Sequence, residues 1–263
     1  MTWDDFIGCS GFGILFSMSQ TAARNPRFTT TRWSMVLQAR GHRQSDSGER
    51  ALAELCEIYW FPVYAFVRRQ TGSADEADDS TQAFFAHLLS HSFLKNVHAD
   101  RGRFRSWLLA SLRNFLNNEH DRAQTLKRGG QVRIVSIDRA SGEQRFQQVA
   151  SRDEPADVLF ERQWSMALLS TVLSKLKNEM RQEGQVQLFD VLSGCLTTDR
   201  KTFRYADAAA ELGFTVEAAR TAAHRMRKRY RRLLRAEIRD TVNSDEEVDD
   251  EIRRLFKAVA GKS

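Results

Sequence analysis

The strongest chemical signal in the sequence is a run of basic residues near its C-terminal end. Between Arg220 and Arg239 there are nine basic residues and one acidic residue, Glu237. Most of them lie in the stretch TVEAARTAAHRMRKRYRR, whose apolar residues recur at helical spacing and leave the charged residues on the opposite face. Basic groups at this density bind phosphates. The stretch therefore predicts a helix with a face for nucleic acid.

A short helix and a glycine turn are predicted to position this basic helix. The inner face of the short helix is formed by Tyr205, Ala208, Ala209 and Leu212. Gly213 can take the left-handed conformation that ends a helix, and Thr215 is a suitable N-cap for the next one. This spacing is that of a helix-turn-helix, which places its second helix in the major groove of DNA.

Two faces are predicted for the second helix. Its buried stripe is Ala219, Ala222, Ala223, Met226, Tyr230, Leu233 and Leu234. The residues predicted to bind DNA are Thr215, Glu217, Arg220, Thr221, His224, Arg225, Arg227 and Lys228, with the later arginines on phosphates. The alternative is a basic helix that is only solvated or lies on a membrane, which leaves the short helix and its turn unexplained.

A second set of candidate residues interleaves basic, aromatic and amide side chains in RGRFRSWLLASLRNFLNNEHDR. Such a mixture suits single strands, whose bases stack on rings while their phosphates meet guanidinium groups. The set is Arg103, Phe104, Arg105, Trp107, Arg113, Asn114, Asn117, Asn118 and Arg122. The alternative is that the aromatic rings, above all Phe115 and Trp107, belong to the core.

The elements that carry both sets are predicted to be helical. Helical periodicity covers most of the chain and strand alternation almost none of it, so the fold class is all-α, with two helical domains joined by a polar linker. The predicted segments are an N-terminal extension over 1–46, a first domain over 47–128, a linker over 129–155, a second domain over 156–241 and an acidic tail over 242–263. Pro62 is predicted to separate two helices, and VRIVSI in the linker is an alternative short strand.

Several classes of function lack their motifs. The chain contains no phosphate-binding GxxxxGK loop, no GxSxG elbow and no GxGxxG, and its three cysteines are scattered. His87 and His91 are one helical turn apart but have no third ligand nearby. We therefore expect neither an enzyme nor a protein with a metal or a cofactor. The apolar run before Met18 is too short to span a membrane; Met18 is the expected start, with a partner-binding arm over 1–17 as the alternative.

Three motifs in order resemble the extracytoplasmic-function class of bacterial RNA polymerase sigma factors. DEADDSTQAFFAHLL resembles the core-binding helix of region two, FRSWLLASLRNFLNNEHDR the melting and minus-ten helix, and YADAAAELGFTVEAARTAAHRMRKRYR the helix-turn-helix of region four. FTTTRWSMVL and EVDDEIRRLF resemble a subgroup typical of planctomycete-like bacteria. The chain departs from the family at Asn118, where Asp is usual, and at Ala208 and Ala219, where larger aliphatic residues are usual.

The resemblance implies a cytoplasmic protein that brings core RNA polymerase to promoter DNA. It places polymerase binding on Asp75, Asp79, Gln82 and Phe85, threads the linker through the polymerase cleft, and directs the basic helix to the minus-thirty-five element. A further expected partner is an anti-sigma factor or a Ser/Thr kinase; the kinase is expected because Ser80 and Thr81 lie beside Asp78 and Asp79, where a phosphate would add charge.

Two rival functions and two roles for the tail remain open at this stage. The rivals are a dimeric helix-turn-helix repressor, which would bind DNA without polymerase, and a recombinase or transposase. The segment from Asp240 to Glu251 holds seven acidic residues and no basic one. It is expected either to fold back and mask the basic helix, or to pack on the domain as a last helix through Ile252, Leu255 and Phe256.

Overall fold

The computed structural model describes residues 46–88, 103–125, 139–151, 153–198, 202–239, 241–242 and 244–260. Every regular element in these ranges is helical and none is a strand, which confirms the all-α class. The helices are α1 Asp46–Gln70, α2 Ala74–Leu88, α3 Phe104–Thr125, α4 Arg139–Val149, α5 Ala156–Gln182, α6 Val186–Leu192, α7 Tyr205–Leu212, α8 Val216–Arg239 and α9 Glu247–Val259. The predicted N-terminal extension and the alternative strand VRIVSI lie outside the described residues.

The chain divides into two compact units, and the boundary lies within α5. Of the described residues, those up to Trp164 and those of 240–245 belong to the first unit, and those of 165–239 and 246–260 belong to the second. The sequence analysis assigns all of α5 to the second domain, but its first two turns belong to the first unit. The reason is aromatic packing, because Phe160 lies edge-on to Phe66 with ring centroids 6.5 Å apart, and the Trp164 indole N–H donates to the Tyr59 hydroxyl over 3.1 Å.

Helix α1 supplies much of the core of the first unit and is continuous through Pro62, so the prediction of two helices here is wrong. A proline inside a helix removes one backbone hydrogen bond and costs about 3 kcal/mol or more. That cost is offset here because every residue from Tyr59 to Val67 is buried. Burial of such an apolar run stabilises the unit by about 1.5–3 kcal/mol for each large side chain.

Residues 139–149 form a helix, α4, that packs on α1, whereas the sequence analysis assigns them to a linker. Glu143 accepts hydrogen bonds from the Tyr64 hydroxyl at 2.6 Å and from Arg68 Nε at 3.0 Å. The Arg145 guanidinium carbon lies 3.7 Å from the centre of the Phe61 ring, and burial lowers the pKa of Arg145 to about 10. Gln, Ser and Gly in the segment indicate a linker, but these contacts hold it against α1.

Gly142 on α4 lies directly against the Trp60 ring of α1, and we expect Gly142→Ala to lower the free energy of unfolding by about 1–3 kcal/mol. A Cβ atom at this position would lie 2.5 Å from Cη2 of Trp60, which is itself buried and stacked on Tyr64. Urea unfolding of the full chain measures the loss. Gly72→Ala is the matched control, because a Cβ there has no atom within 4 Å. Equal stability of the two variants would contradict this packing.

Glu143 and its donors Tyr64, Arg68 and Gln147 should also give the first unit a contribution to stability that is lost in acid. Partial burial alone would raise the pKa of Glu143, but hydrogen bonds from Arg68, Tyr64 and Gln147 outweigh it and hold that pKa below its ordinary value. A lowered folded-state pKa adds stability above the unfolded-state pKa, and this stability is lost as the pH falls through the folded-state value. We expect Glu143→Gln to be less stable than the parent at pH 7, with a difference that shrinks below pH of about 4.5. Urea unfolding of the parent and of Glu143→Gln, at pH 7 and again below pH of about 4.5, measures the difference in stability. The same difference at both pH values would contradict the expectation.

The second unit is built around α5 and α8. The predicted stripe of α5 is confirmed, since all its members are buried: Leu169, Val172, Leu173, Leu176 and Met180. Tyr230 on α8 donates from its hydroxyl to the backbone oxygen of Leu169 over 3.3 Å. Lys175 pairs with the buried Glu237 carboxylate. Apolar and ionic contacts together fix the side of α8 that faces α5.

The acidic tail forms helix α9, which packs on α8, so the prediction of a last helix is confirmed. Its buried side chains are Val248, Ile252, Leu255, Phe256 and Val259. Asp249 pairs with Arg235, which lies near the C-terminal end of α8. The masking prediction is wrong, because the residues around Arg220 stay exposed to solvent.

Candidate nucleic-acid interface

The turn between α7 and α8 has the geometry that Gly213 and Thr215 predict. Gly213 has φ +66°, the left-handed conformation. The N–H of Phe214 donates to the oxygen of Ala209 over 2.8 Å, and that of Gly213 to Ala210 over 3.3 Å, which is the Schellman pattern. The N–H of Ala218 donates to Thr215 Oγ1 over 3.2 Å, so Thr215 caps α8. Backbone hydrogen bonds therefore fix the start of α8.

The N-terminal half of α8 presents one exposed polar surface, which we call the reading face. It consists of Glu217, Arg220, Thr221, His224, Arg225 and Lys228, all exposed as the sequence analysis predicts. Arg220 pairs with Glu217 over 3.3 Å, an exposed ion pair of the kind that contributes little. Ala219, Ala223 and Met226 on the opposite side are buried. The small alanines let α7 pack closely while the charged side chains point into solvent.

Arg227 is not part of this surface, and its assignment to DNA binding is wrong. Its side chain is buried, with Nε donating to the backbone oxygen of Cys195 over 3.2 Å and Nη2 to the Tyr205 hydroxyl over 2.9 Å. The reason is its position one helical turn after Ala223, on the buried side of α8. Arg227 therefore ties α8 to α7 and to the 3₁₀ turn Ser193–Leu196.

The basic residues in the C-terminal half of α8 are paired within the protein. Arg229 contacts Glu179 and Glu183, each over 2.6 Å, and Arg232 contacts Glu179 over 3.3 Å. The hydrogen bond to Glu183 is the main cause that raises the pKa of Arg229. The partners are about fifty residues away in sequence, so no local pattern indicates them. The exposed basic residues in the N-terminal half of α8 are those of the reading face, Arg220, Arg225 and Lys228.

Tyr205 supports the reading face and was assigned only to the inner face of α7. The Arg220 guanidinium carbon lies 5.9 Å from the centre of the Tyr205 ring, and the Phe203 ring packs edge-on to Tyr205 at 5.0 Å. A cation over an aromatic face at this distance is weakly attracted to it. The Tyr205 ring therefore lies beside the Arg220 guanidinium, and the Phe203 ring packs against Tyr205.

Helix α3 presents a second exposed polar surface, which we call the amide face. It consists of Arg113, Asn114, Asn117 and Asn118, which helical spacing brings to one side. A cleft of about 420 Å³ adjoins it, lined by Gln70, Arg113, Asn117, Ala156 and Asp157. Arg113 pairs with Asp157 in this cleft. The amides offer donors and acceptors together, and the guanidinium offers a positive charge.

Two residues assigned to the single-strand set are structural instead. Phe104 is buried, with its ring 5.4 Å from that of Tyr59. Arg105 is buried too, with Nε 2.7 Å from Glu161 and its guanidinium 4.3 Å from the centre of the Trp164 ring. Both residues lie in the first turn of α3, and that turn packs into the core of the first unit.

The three remaining members of the single-strand set are Arg103, Trp107 and Arg122. Trp107 and Arg103 are half-buried, and the Trp107 ring lies 5.3 Å from that of Phe104. The side chain of Arg122 lies outside the described residues. The alternative reading of Trp107 as partly core agrees with its contact.

The predicted polymerase-binding face on α2 is only partly exposed. Asp75 and Asp79 face solvent, while half-buried Gln82 donates to Asp78 Oδ2 over 2.8 Å. Phe85 is buried beside Phe84, so its assignment to this face is wrong; the apolar side of α2 is needed for the core.

A phosphorylation switch at Thr81 is also contradicted. Thr81 is fully buried and donates from Oγ1 to the backbone oxygen of Ala77 over 2.7 Å. A kinase cannot reach this hydroxyl without unfolding α2. Ser80 is half-buried.

No family model, no curated protein and no solved structure matches the chain. Within the ranges that the structure describes, no helix combines the length and apolar character of a membrane span, and no cluster of His, Cys, Asp and Glu could hold a metal ion. The second histidine of the pair His87 and His91 lies outside those ranges.

Proposed function

We propose that the protein is a sigma factor of the extracytoplasmic-function class, which binds core RNA polymerase and directs promoter recognition, melting and transcription initiation. The observation that carries the proposal is the reading face, held by a short helix, a left-handed glycine and a capped second helix. A short helix, a left-handed glycine and a capped second helix in this order support a helix-turn-helix. Exposed Arg220, Arg225 and Lys228 suit the edges and phosphates of a major groove.

The amide face supplies the second half of the proposal. Asparagine side chains pair with base edges, and bases on a single strand expose the edges that a duplex hides. Arg113 sits among them and can exchange its exposed carboxylate partner for a phosphate. Upstream duplex DNA is then bound by the reading face, and the opened strand by the amide face.

Polymerase binding is assigned to the acidic exposed side of α2. Asp75, Glu76 and Asp79 face solvent there, and a negative surface favours a basic partner. A repressor built on the same reading face would leave this surface and the amide face without a role. The need for polymerase therefore separates the two functions.

The test is DNA selection from a random duplex library, carried out with the full chain alone and with the chain bound to purified core polymerase. The proposal expects enrichment of one asymmetric upstream element only when polymerase is present. Enrichment of a palindrome by the chain alone, unchanged by polymerase, would establish the repressor instead.

A further inference from the structure

Two exposed apolar side chains flank the N-cap of α8. Phe214 is 45% exposed and Val216 is 37% exposed, and they are the only large apolar side chains that are exposed in the described part of the chain. We call Phe214 and Val216 the apolar turn. Single exposed apolar residues are ordinary in soluble proteins. Two of them, one on each side of Thr215 at the start of a candidate interface, indicate a binding role.

The hydrogen bonds that end α7 and begin α8 use neither of these two side chains. The backbone groups of Phe214 and Gly213 satisfy the end of α7 through their hydrogen bonds to Ala209 and Ala210, whichever side chain stands at position 214. Val216 occupies the first turn of α8, where a β-branched residue is not favoured and where its side chain is not part of the core. The backbone hydrogen bonds of the turn therefore do not explain why both residues are apolar.

The apolar turn continues the reading face. Val216 lies one helical turn before Arg220, and Thr215 and Glu217 on either side of Val216 are exposed with it. In a helix-turn-helix the N-terminal end of the second helix is the part that contacts base edges. The apolar turn thus lies at the end of α8 that enters the groove.

Only one base offers an apolar group in the major groove, and that group is the C5 methyl of thymine. We infer that the apolar turn recognises thymine in the upstream element, with Val216 in contact with the methyl group. The inference rests on the proposed binding of duplex DNA by the reading face and adds a base preference to it. Exposed Arg220 and Arg225 nearby favour a phosphate-bearing partner over an apolar protein surface.

Deoxyuridine provides a test that changes only the methyl group. Each dT of the selected upstream element is replaced in turn by dU, and the affinity of the polymerase complex is measured by competition. For the parent protein, one dT position should show a loss of about fourfold, the value expected for one buried methyl group. For Val216→Ala, dT and dU at that position should bind equally. Insensitivity of the parent to every dU would overturn the inference.

Three variants separate Val216 from its neighbours. Arg220→Ala should bind weakly but keep the preference for dT, and Phe214→Ser should reduce that preference. Thr221→Ser keeps the hydroxyl and removes the methyl of the other exposed residue that could touch thymine. If Thr221→Ser loses the dT preference and Val216→Ala keeps it, the inference is wrong.

Failure of the inference can be told from failure of the proposed function. If the chain selects DNA without polymerase, the same dU series is run with the full chain alone. Polymerase dependence then decides the function, and the dT preference decides the role of Val216. Loss of the dT preference in Val216→Ala supports the inference in either case.

Discussion

Arg220→Ala is expected to lower affinity for the upstream element about 10- to 100-fold, which corresponds to about 1–3 kcal/mol. Arg220 is exposed in the middle of the reading face, and it pairs with Glu217 in an exposed pair that DNA can displace. A guanidinium binds a guanine edge through two hydrogen bonds. The loss of affinity should therefore depend on one guanine of the element, and Arg220→Ala should cost little on DNA in which that guanine is replaced. Competition binding by the polymerase complex measures it.

Arg253→Ala is the matched control for Arg220→Ala. Arg253 is also exposed and also pairs with an acid three residues away, Asp250, but it lies on α9. Its replacement should leave affinity unchanged. Equal losses in the two variants would indicate a general effect of charge on binding and would contradict a reading role for Arg220.

Arg227→Met is expected to lower the free energy of unfolding by about 2–3 kcal/mol, while Arg225→Met changes it by less than about 0.5 kcal/mol. The two arginines are two residues apart on α8, and they point to different sides of the helix. Arg227 is buried and joins Tyr205 to the backbone of Cys195, whereas Arg225 is exposed. Losing Arg227 leaves buried polar groups without their charged partner.

Urea unfolding of the full chain measures the stability of both methionine variants. The salt dependence of DNA binding gives the second readout. If Arg227 bound a phosphate, its replacement would lower the salt slope by about 1 and leave stability intact. A lower salt slope with unchanged stability in Arg227→Met would contradict the structural role of Arg227. The same result is the expected one for Arg225→Met.

The residues with local signals were predictable from the sequence. Gly213 and Thr215 end one helix and begin the next by rules that depend on neighbouring residues alone, and the buried stripe of α5 follows from helical spacing. The exposed side of α8 follows in the same way once Ala219 and Ala223 are assigned to the inside. Local pattern therefore fixed the candidate reading face.

The distant partners that stabilise a buried charge were not predictable, even where helical spacing, as for Arg227 one turn after Ala223, places the residue on the inner side. Arg105 and Arg227 look like surface arginines, yet each is buried because a distant acceptor meets it: Glu161 for Arg105, and Tyr205 and the Cys195 backbone for Arg227. Gly142 indicates a linker by its type, but its missing side chain makes room for Trp60. Phe85 lies on the matched motif and still packs inward.

Run-off transcription with core polymerase tests the central claim most directly. The full chain is mixed with purified core polymerase and a linear template that carries the selected upstream element. The account predicts transcripts of one defined length that require the chain, that fall about 10- to 100-fold with Arg220→Ala, and that are unaffected by Arg253→Ala. Absence of transcripts from every template, together with occupancy of a palindromic site by the chain alone, would contradict it.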